Sequence, residues 1–310
     1  MSGLVLRIQT GETYFEVSRC ISLALEREIY TPYEALSGLF CIDADFDVTS
    51  VTQLELFWNG NSIFLGIADQ VVTFRRGGVW FLRIHSKTFT SLLTQNELEP
   101  GLYSNITIQH LIYNFYQLPH VTVKWSSESG YIYARERTSL WDSVTSFVYK
   151  QCGRYPYVVN NEVCYDFPET PNIHTPDESA VTELGSGLDT TRLISHYHMA
   201  DIEGNPNAYE EENPAAQYAQ IVRHKQIAFD REFLSDPTSA LTYRNLFSCR
   251  GDKSRYVTYA GFNNEVLGEK VTFRMHLQNA VICRVRMVYG AQGFATTLWT
   301  YEDGFYHLNA

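Results

Sequence analysis

The residues with the clearest capacity for chemistry sit in "SHYHMAD", where His196 and His198 lie two apart and Asp201 follows closely. Two imidazoles on one strand face with a carboxylate nearby resemble half of a zinc or iron site, since such ions take nitrogen and oxygen ligands in small convergent sets. The other half is missing. No second His/Asp cluster stands at a fixed spacing, so we read the pair as strand-surface histidines and expect neither a metal nor a cofactor. Paired carboxylates come next. Asp45 with Asp47, or the acids of "YEEEN" at 209–213, could serve cleavage of a cell-wall glycan, but that work needs one carboxyl desolvated and the other solvated, and a run of three glutamates reads as a solvated loop. The sequence contains no phosphate-cradling G-x-x-x-x-G-K-S/T, no G-x-G-x-x-G, no H-E-x-x-H and no G-x-S-x-G. We therefore expect a protein that is not an enzyme. Tyr113, Phe115 and Tyr116 could form a stacking platform, although their helical spacing suits packing better.

Any such residues must be positioned by a core, and 310 residues suffice for two or three domains. Aromatics make up 14% of the chain, with 21 Tyr and 18 Phe, which favours pleated, half-buried surfaces and so a β-rich protein. No apolar run reaches the roughly 20 residues of a membrane span, and Arg7, Glu12 and Glu16 interrupt any signal-like start, so synthesis and folding in a cytoplasm are expected, with no membrane anchor. The six cysteines form no C-x-x-C pair and read as reduced, mostly buried side chains. With 24 basic against 35 acidic residues, the net charge of −11 argues against a surface that grips nucleic acid.

The elements follow from periodicity. Alternation on either side of Asn59-Gly60 and around Gly77-Gly78 predicts strands near 52–58, 62–69, 70–76 and 79–86, with "GLVLRIQ" and "YFEVSR" as two more, enough to curl into a small barrel. After Thr88 the period changes. Asn105 or Thr107 is expected to cap a helix with Ile108, Leu111, Ile112 and Phe115 inward; "HVTVKW" reads as a strand, Ser139 opens a second helix ended by Gly153, and a hairpin turns at Asn160-Asn161. The sequon at Asn105 is read as a cap. Residues 168–190 have the composition of a linker, "TRLISHYHMADIEG" carries strand signal, and 205–235 suits helix or strand equally. Asp236 caps a helix with Pro237 at its first position and Ala240, Leu241 and Phe247 inward. Strands at 254–260 and 269–275 flank "GFNNEVLG", and a terminal hairpin sets Ile282, Arg284, Arg286 and Val288 opposite Val281, Cys283, Val285 and Met287.

This order of elements carries a resemblance. A meander with glycine after an aromatic strand ("IFLGIA", Gly66), the Leu92-Leu93 pair, and "PGLYSNITIQHLI" with Gly101 opening a helix resemble the baseplate hub proteins of contractile phage tails and related injection systems, the late-control-D type included. "SALTYRNLFSCRGDKSRYVTYAGFNNEVLGEKVTF" is similar to that family's helix, basic hairpin and turn, with Gly261 and Gly268 in place; Leu267 stands where many members have proline, and 205–235 matches nothing in the pattern.

The resemblance implies a β-rich α+β fold with two tube-type β-barrel domains and an inserted small α/β module. The divisions are 1–94 for the first barrel, 95–167 for the module, and 168–310 for a linker and second barrel with an insertion at about 205–235. It further implies a structural hub of a virion baseplate, a homotrimer with six barrels in a ring. That ring would meet a hexameric tail tube or tube-initiator protein, a trimeric central spike and other baseplate proteins, and DNA would pass through it without specific binding. A tail-borne cell-wall-degrading enzyme and a receptor- or carbohydrate-binding tail module are the alternatives. Asn59, Gly60, Gly66, Gly101, Gly261 and Gly268 are the expected structural positions.

Overall fold

Seven strands arise from the alternation in the first ninety residues of the computed structural model, which describes residues 3–124, 126–302 and 305. They are β1 (Leu4–Thr10), β2 (Thr13–Val17), β3 (Cys20–Glu28), β4 (Ala35–Ile42), β5 (Val51–Trp58), β6 (Asn61–Arg76) and β7 (Val79–Thr88). All neighbours pair antiparallel in the order β3-β4-β7-β6-β5-β1-β2. Two residues, Ser18 and Arg19, join β2 to β3, although these strands stand six places apart in that order. In a flat sheet they would be about 29 Å apart. The link spans at most about 11 Å. The sheet must therefore curl, and Leu4, Leu6, Leu25, Phe40, Leu54, Phe64 and Leu82 fill its inside.

Two expectations change here. The strands predicted at 62–69 and 70–76 are one, β6, because Asp69 is absorbed by a bulge between Ala68 and Gln70 instead of making a turn. β3 and β4 were not foreseen: the charges of "LERE" hide a strand whose Leu23, Leu25 and Arg27 all point inward.

The middle of the chain builds its own core. α1 (Leu92–Gln95) leads to β8 (Gly101–Ile106), β9 (Thr122–Val123), β10 (Gly130–Ala134), α2 (Leu140–Cys152), β11 (Tyr157–Val159) and β12 (Glu162–Cys164). α2 begins where expected, with a reciprocal Ser139–Asp142 capping box, and ends at Gly153, whose φ of 69° suits glycine. Gly101 opens a strand instead of a helix. The helical turn follows Thr107, whose hydroxyl accepts the His110 N–H at 3.3 Å, and it widens to a π-turn over His110–Asn114. Asn160 and Asn161, at φ of 49° and 67°, turn the β11–β12 hairpin. Trp125, at the end of the expected strand 120–125, lies outside the described residues.

The remaining elements are β13 (Ile173–His174), β14 (Val181–Leu188), β15 (His196–Met199), β16 (Tyr209–Glu212), α3 (Pro214–Tyr218), β17 (His224–Ile227), α4 (Pro237–Ser248), β18 (Lys253–Ala260), β19 (Lys270–Phe273), β20 (Leu277–Val281), β21 (Arg284–Gly290) and β22 (Gly293–Tyr301). The stretch 168–190 is thus no simple linker, for β14 pairs with β18 despite its Gly-rich composition. The ambiguous 205–235 contains both outcomes, α3 capped by Asn213 and the strand β17. Asp236 caps α4, with Pro237 at its start. β14-β18-β22-β21 form a second set of strands facing β13-β19-β20 across a core of Val257, Val271, Phe273, Val285 and Leu298. Ile282, expected on the arginine side, is fully buried in the link between β20 and β21.

The two sets meet edge to edge. β21 pairs antiparallel with β3 over six residue pairs, from Arg284–Glu28 to Tyr289–Leu23, so eleven strands run as one sheet. The β-rich α+β class is as expected. The hairpin of β5 and β6 turns at Asn59 and Gly60, with φ of 49° and 83°, and open space surrounds the Gly60 Cα. A valine there meets no clash, only the left-handed penalty, so Gly60→Val should lower stability by about 1–2 kcal/mol in urea unfolding.

Candidate functional site

Separate parts of the chain are locked together at a buried ion pair. Arg27, on β3, is 2% exposed. Its Nε donates to Glu34 Oε2 at 3.1 Å, its Nη1 to the Glu265 carbonyl at 2.7 Å, and its Nη2 to the Ile63 carbonyl at 2.7 Å. Glu34 is equally buried; its Oε1 accepts the Asn160 N–H at 3.0 Å and its own N–H donates to Thr88 Oγ1 at 2.9 Å. One ion pair therefore touches the first barrel, the middle module and the 261–268 loop of the last third. That loop packs Phe262 into the first core and Leu267 into the second.

Glu265 in the same loop has no exposed surface, and both its carboxylate oxygens accept the Asn263 N–H at 3.2 Å. Burial pushes its carboxyl upward, against the pull of its own backbone hydrogen bond, His174, Asn263 and Arg27. A second ionic node fastens the insertion to the module. Lys150 of α2 donates to Glu232 Oε1 at 2.5 Å, and Asp230 binds Arg244 at 2.5 Å and also Arg135.

The metal candidates form a different arrangement from the one expected. β15 pairs antiparallel with β16 and parallel with β17, which sets His224 beside His196 and the glutamates 210 and 212 opposite His198 and His196. The His196 and His224 ring centroids lie 4.3 Å apart with planes within 2°, and the His198 ring lies within 8° of the His224 plane with centroids 5.2 Å apart. His198 Nε2 lies 2.9 Å from His224 Nδ1, and His198 Nδ1 lies 3.0 Å from Glu210 Oε1. His198 Nε2 and His224 Nδ1 are directed at each other at hydrogen-bonding distance, so one proton lies between them and neither lone pair is free for an ion. Among the described residues no group of three or more His, Cys, Asp or Glu is arranged to hold a metal ion. Asp201 is elsewhere engaged, accepting from the Asn205 N–H and side chain at 2.8 and 2.7 Å. His224 escaped sequence reasoning because its strand lies in the segment whose period was ambiguous.

The acids expected in a solvated loop at 209–213 lie on strand β16, with Glu211 half-buried between exposed Glu210 and Glu212, and the acidic candidates are tied to neighbours. Asp45 accepts from Thr73 and Asp47 from Thr49, while Glu211 accepts from Thr242 and Asn245. Tyr113 accepts the Val123 N–H and Tyr116 donates to the Glu97 carbonyl, so both are rim packing. Of the glycines, a Cβ on Gly66 would run into the Lys87 carbonyl and the Phe64 ring. Gly261, at φ 127°, accepts Thr296 Oγ1 at 2.6 Å; Gly268, at φ 83°, leaves room for only 2.8 Å between a Cβ and the Tyr157 hydroxyl.

No protein-family model and no curated protein matches the sequence. Solved structures do. A tail protein from Neisseria meningitidis MC58 is 14% identical and matches over 98% of each chain with a TM-score of 0.69. The fold is that of phage-type tail proteins. The 43 kDa tail protein of prophage MuSo2 from Shewanella oneidensis, 12% identical, matches over 96% of this chain and 98% of its own, again at 0.69. The E. coli c3393 protein, a component of the type VI secretion system, is 11% identical over 96% of this chain and 77% of its own, at 0.58. The likeness runs through nearly the whole chain.

Two outcomes follow from this geometry. Because Glu265 holds its proton more tightly when folded, its contribution is present below the ordinary carboxylate range of about 4.3 and lost as pH rises through the folded value. Glu265→Gln should therefore raise the urea midpoint at pH 8, with the gain shrinking towards pH 4. For the histidine face, prolonged dialysis against a chelator should leave the thermal midpoint unchanged, and a fall of several degrees, reversed by zinc, would assign a metal there.

Proposed function

We propose that the chain is a structural baseplate hub of a contractile phage tail or tail-like particle. It joins the hexameric tail tube to the trimeric central spike and forms part of the DNA channel. The observation that carries this reading is the match of nearly the whole chain, 96–98%, to tail proteins of comparable length. The division is into a first barrel at 1–94, a module at 95–167 and a second barrel in 168–310, with its insertion at about 205–235. Three copies supply six barrels, the number that meets a sixfold tube above while keeping threefold symmetry for the spike below. The role is non-enzymatic, a reading supported by the hydroxyls and amide that hold Asp45, Asp47 and Glu211.

The charge suits a conduit. A net −11 per chain leaves little to condense onto phosphates, and a channel that neutralised many of them would retain the DNA through counterion release. Assembly in the host cytoplasm and residence in the virion tail follow from the same role. The test is mass by light scattering, with the chain alone over a dilution series and then with a trimeric spike protein added. Three copies per complex are expected, with dilution shifting a monomer–trimer balance. A single copy at high concentration and in the spike complex would sink the hub and leave the receptor-binding alternative.

A further inference from the structure

We propose that the outer edge of β14 is the seam through which a second copy of this chain adds its first barrel. The inference rests on the ring reading above. It is carried by the way barrels already join within the chain. β3 of the first barrel and β21 of the second pair edge to edge through backbone hydrogen bonds, so strand addition is the joint this fold uses. β14 ends the row of which β21 is part, at the opposite side of the second barrel, and among the described residues no strand pairs with it on the side away from β18.

The edge lacks the usual protection. Edge strands are normally blunted by lysine, proline, bulges or a covering element. In "VTELGSGL" the single charge is Glu183, and its carboxylate accepts the Tyr256 hydroxyl at 2.6 Å. The one bulge falls between Val181 and Glu183; from Leu184 to Leu188 the strand runs in unbroken register with Val257 to Lys253. Apolar side chains flank it: Leu184 is 41% exposed and Leu188 68%. Met275 is 87% exposed, and it precedes His276, whose Nε2 reaches the Gly185 carbonyl at 3.1 Å. An unprotected, nearly uncharged strand with leucines on its face fits a pleated partner edge that brings its own apolar side chains. It does not fit an ionic or nucleic-acid partner.

Leu184→Lys/Leu188→Lys places lysines where natural edges carry them, at side chains that are already exposed. The double variant should keep the wild-type thermal midpoint while its self-association weakens about tenfold or more by light scattering. Tyr218→Lys, at a side chain 93% exposed and on α3, serves as the control and should assemble normally. In parallel, hydrogen exchange of the wild-type peptide spanning 181–188 should slow about tenfold or more on going from dilute monomer to assembled ring. That measurement decides alone if the double variant fails to fold. Unchanged exchange on assembly, or normal assembly of the double variant, overturns the seam and leaves the ring standing. Protection that appears only with the spike, at constant copy number, assigns the edge to the spike and equally overturns it. A wild-type chain that stays single alone and with the spike overturns both readings.

Discussion

Arg27 is buried with one carboxylate and two backbone carbonyls as its acceptors, and a guanidinium can be taken out of water only while such acceptors stay in place. Those acceptors belong to separate stretches of chain: Glu34 and Ile63 in the first barrel, Glu265 in the loop before β19. Glu34 then extends the network to Asn160 in the module. Moving any one part away strands a charge in an apolar surround, which costs about 3–5 kcal/mol, a large share of the stability of most domains. The relative placement of the first seven strands, the Asn160 hairpin and the 261–268 loop is therefore enforced by electrostatics as well as by packing.

Chain connectivity supplies the complementary constraint. The two-residue link from β2 to β3 curls the first seven strands, and the link through Ile282 and Cys283 turns the chain from one layer of the second half to the other. Neither half has to close completely on itself, because β3 and β21 satisfy each other's edges. The second ionic node, Lys150–Glu232 with Asp230 between its arginines, performs the same service for the insertion. The outlying β15–β16–β17 sheet is held from its buried face by Tyr197 and Met199 against Leu241.

Turns and caps were the most legible features of the sequence, since each depends on a few local residues: Asn59-Gly60, Ser139 with Asp142, Asn160-Asn161, and Asp236-Pro237 all do in space what their types suggest. What escaped was decided by distant partners. β3 reads as charged because Arg27 and its neighbours are polar, yet Arg27 faces inward on account of Glu34 and the carbonyls of residues 63 and 265. β14 reads as a linker because its strand state comes from β18 and not from its own glycines. The histidine face was half visible: His196 and His198 follow from spacing, whereas His224 arrives by a parallel pairing that no local pattern encodes.

The carbonyl that completes Arg27 lies 238 residues further along the chain, and the strand that covers the edge of β3 begins later still, at Arg284. At translation rates of about 5–20 residues per second, the stretch from the end of β7 at Thr88 to Glu265 leaves the first seven strands waiting for roughly 9–35 seconds with a buried cation under-satisfied and a strand edge uncovered. The nascent protein is thus obliged to finish its N-terminal half last. A ribosome that stops short of residue 284 releases a chain whose open β3 edge invites mispairing.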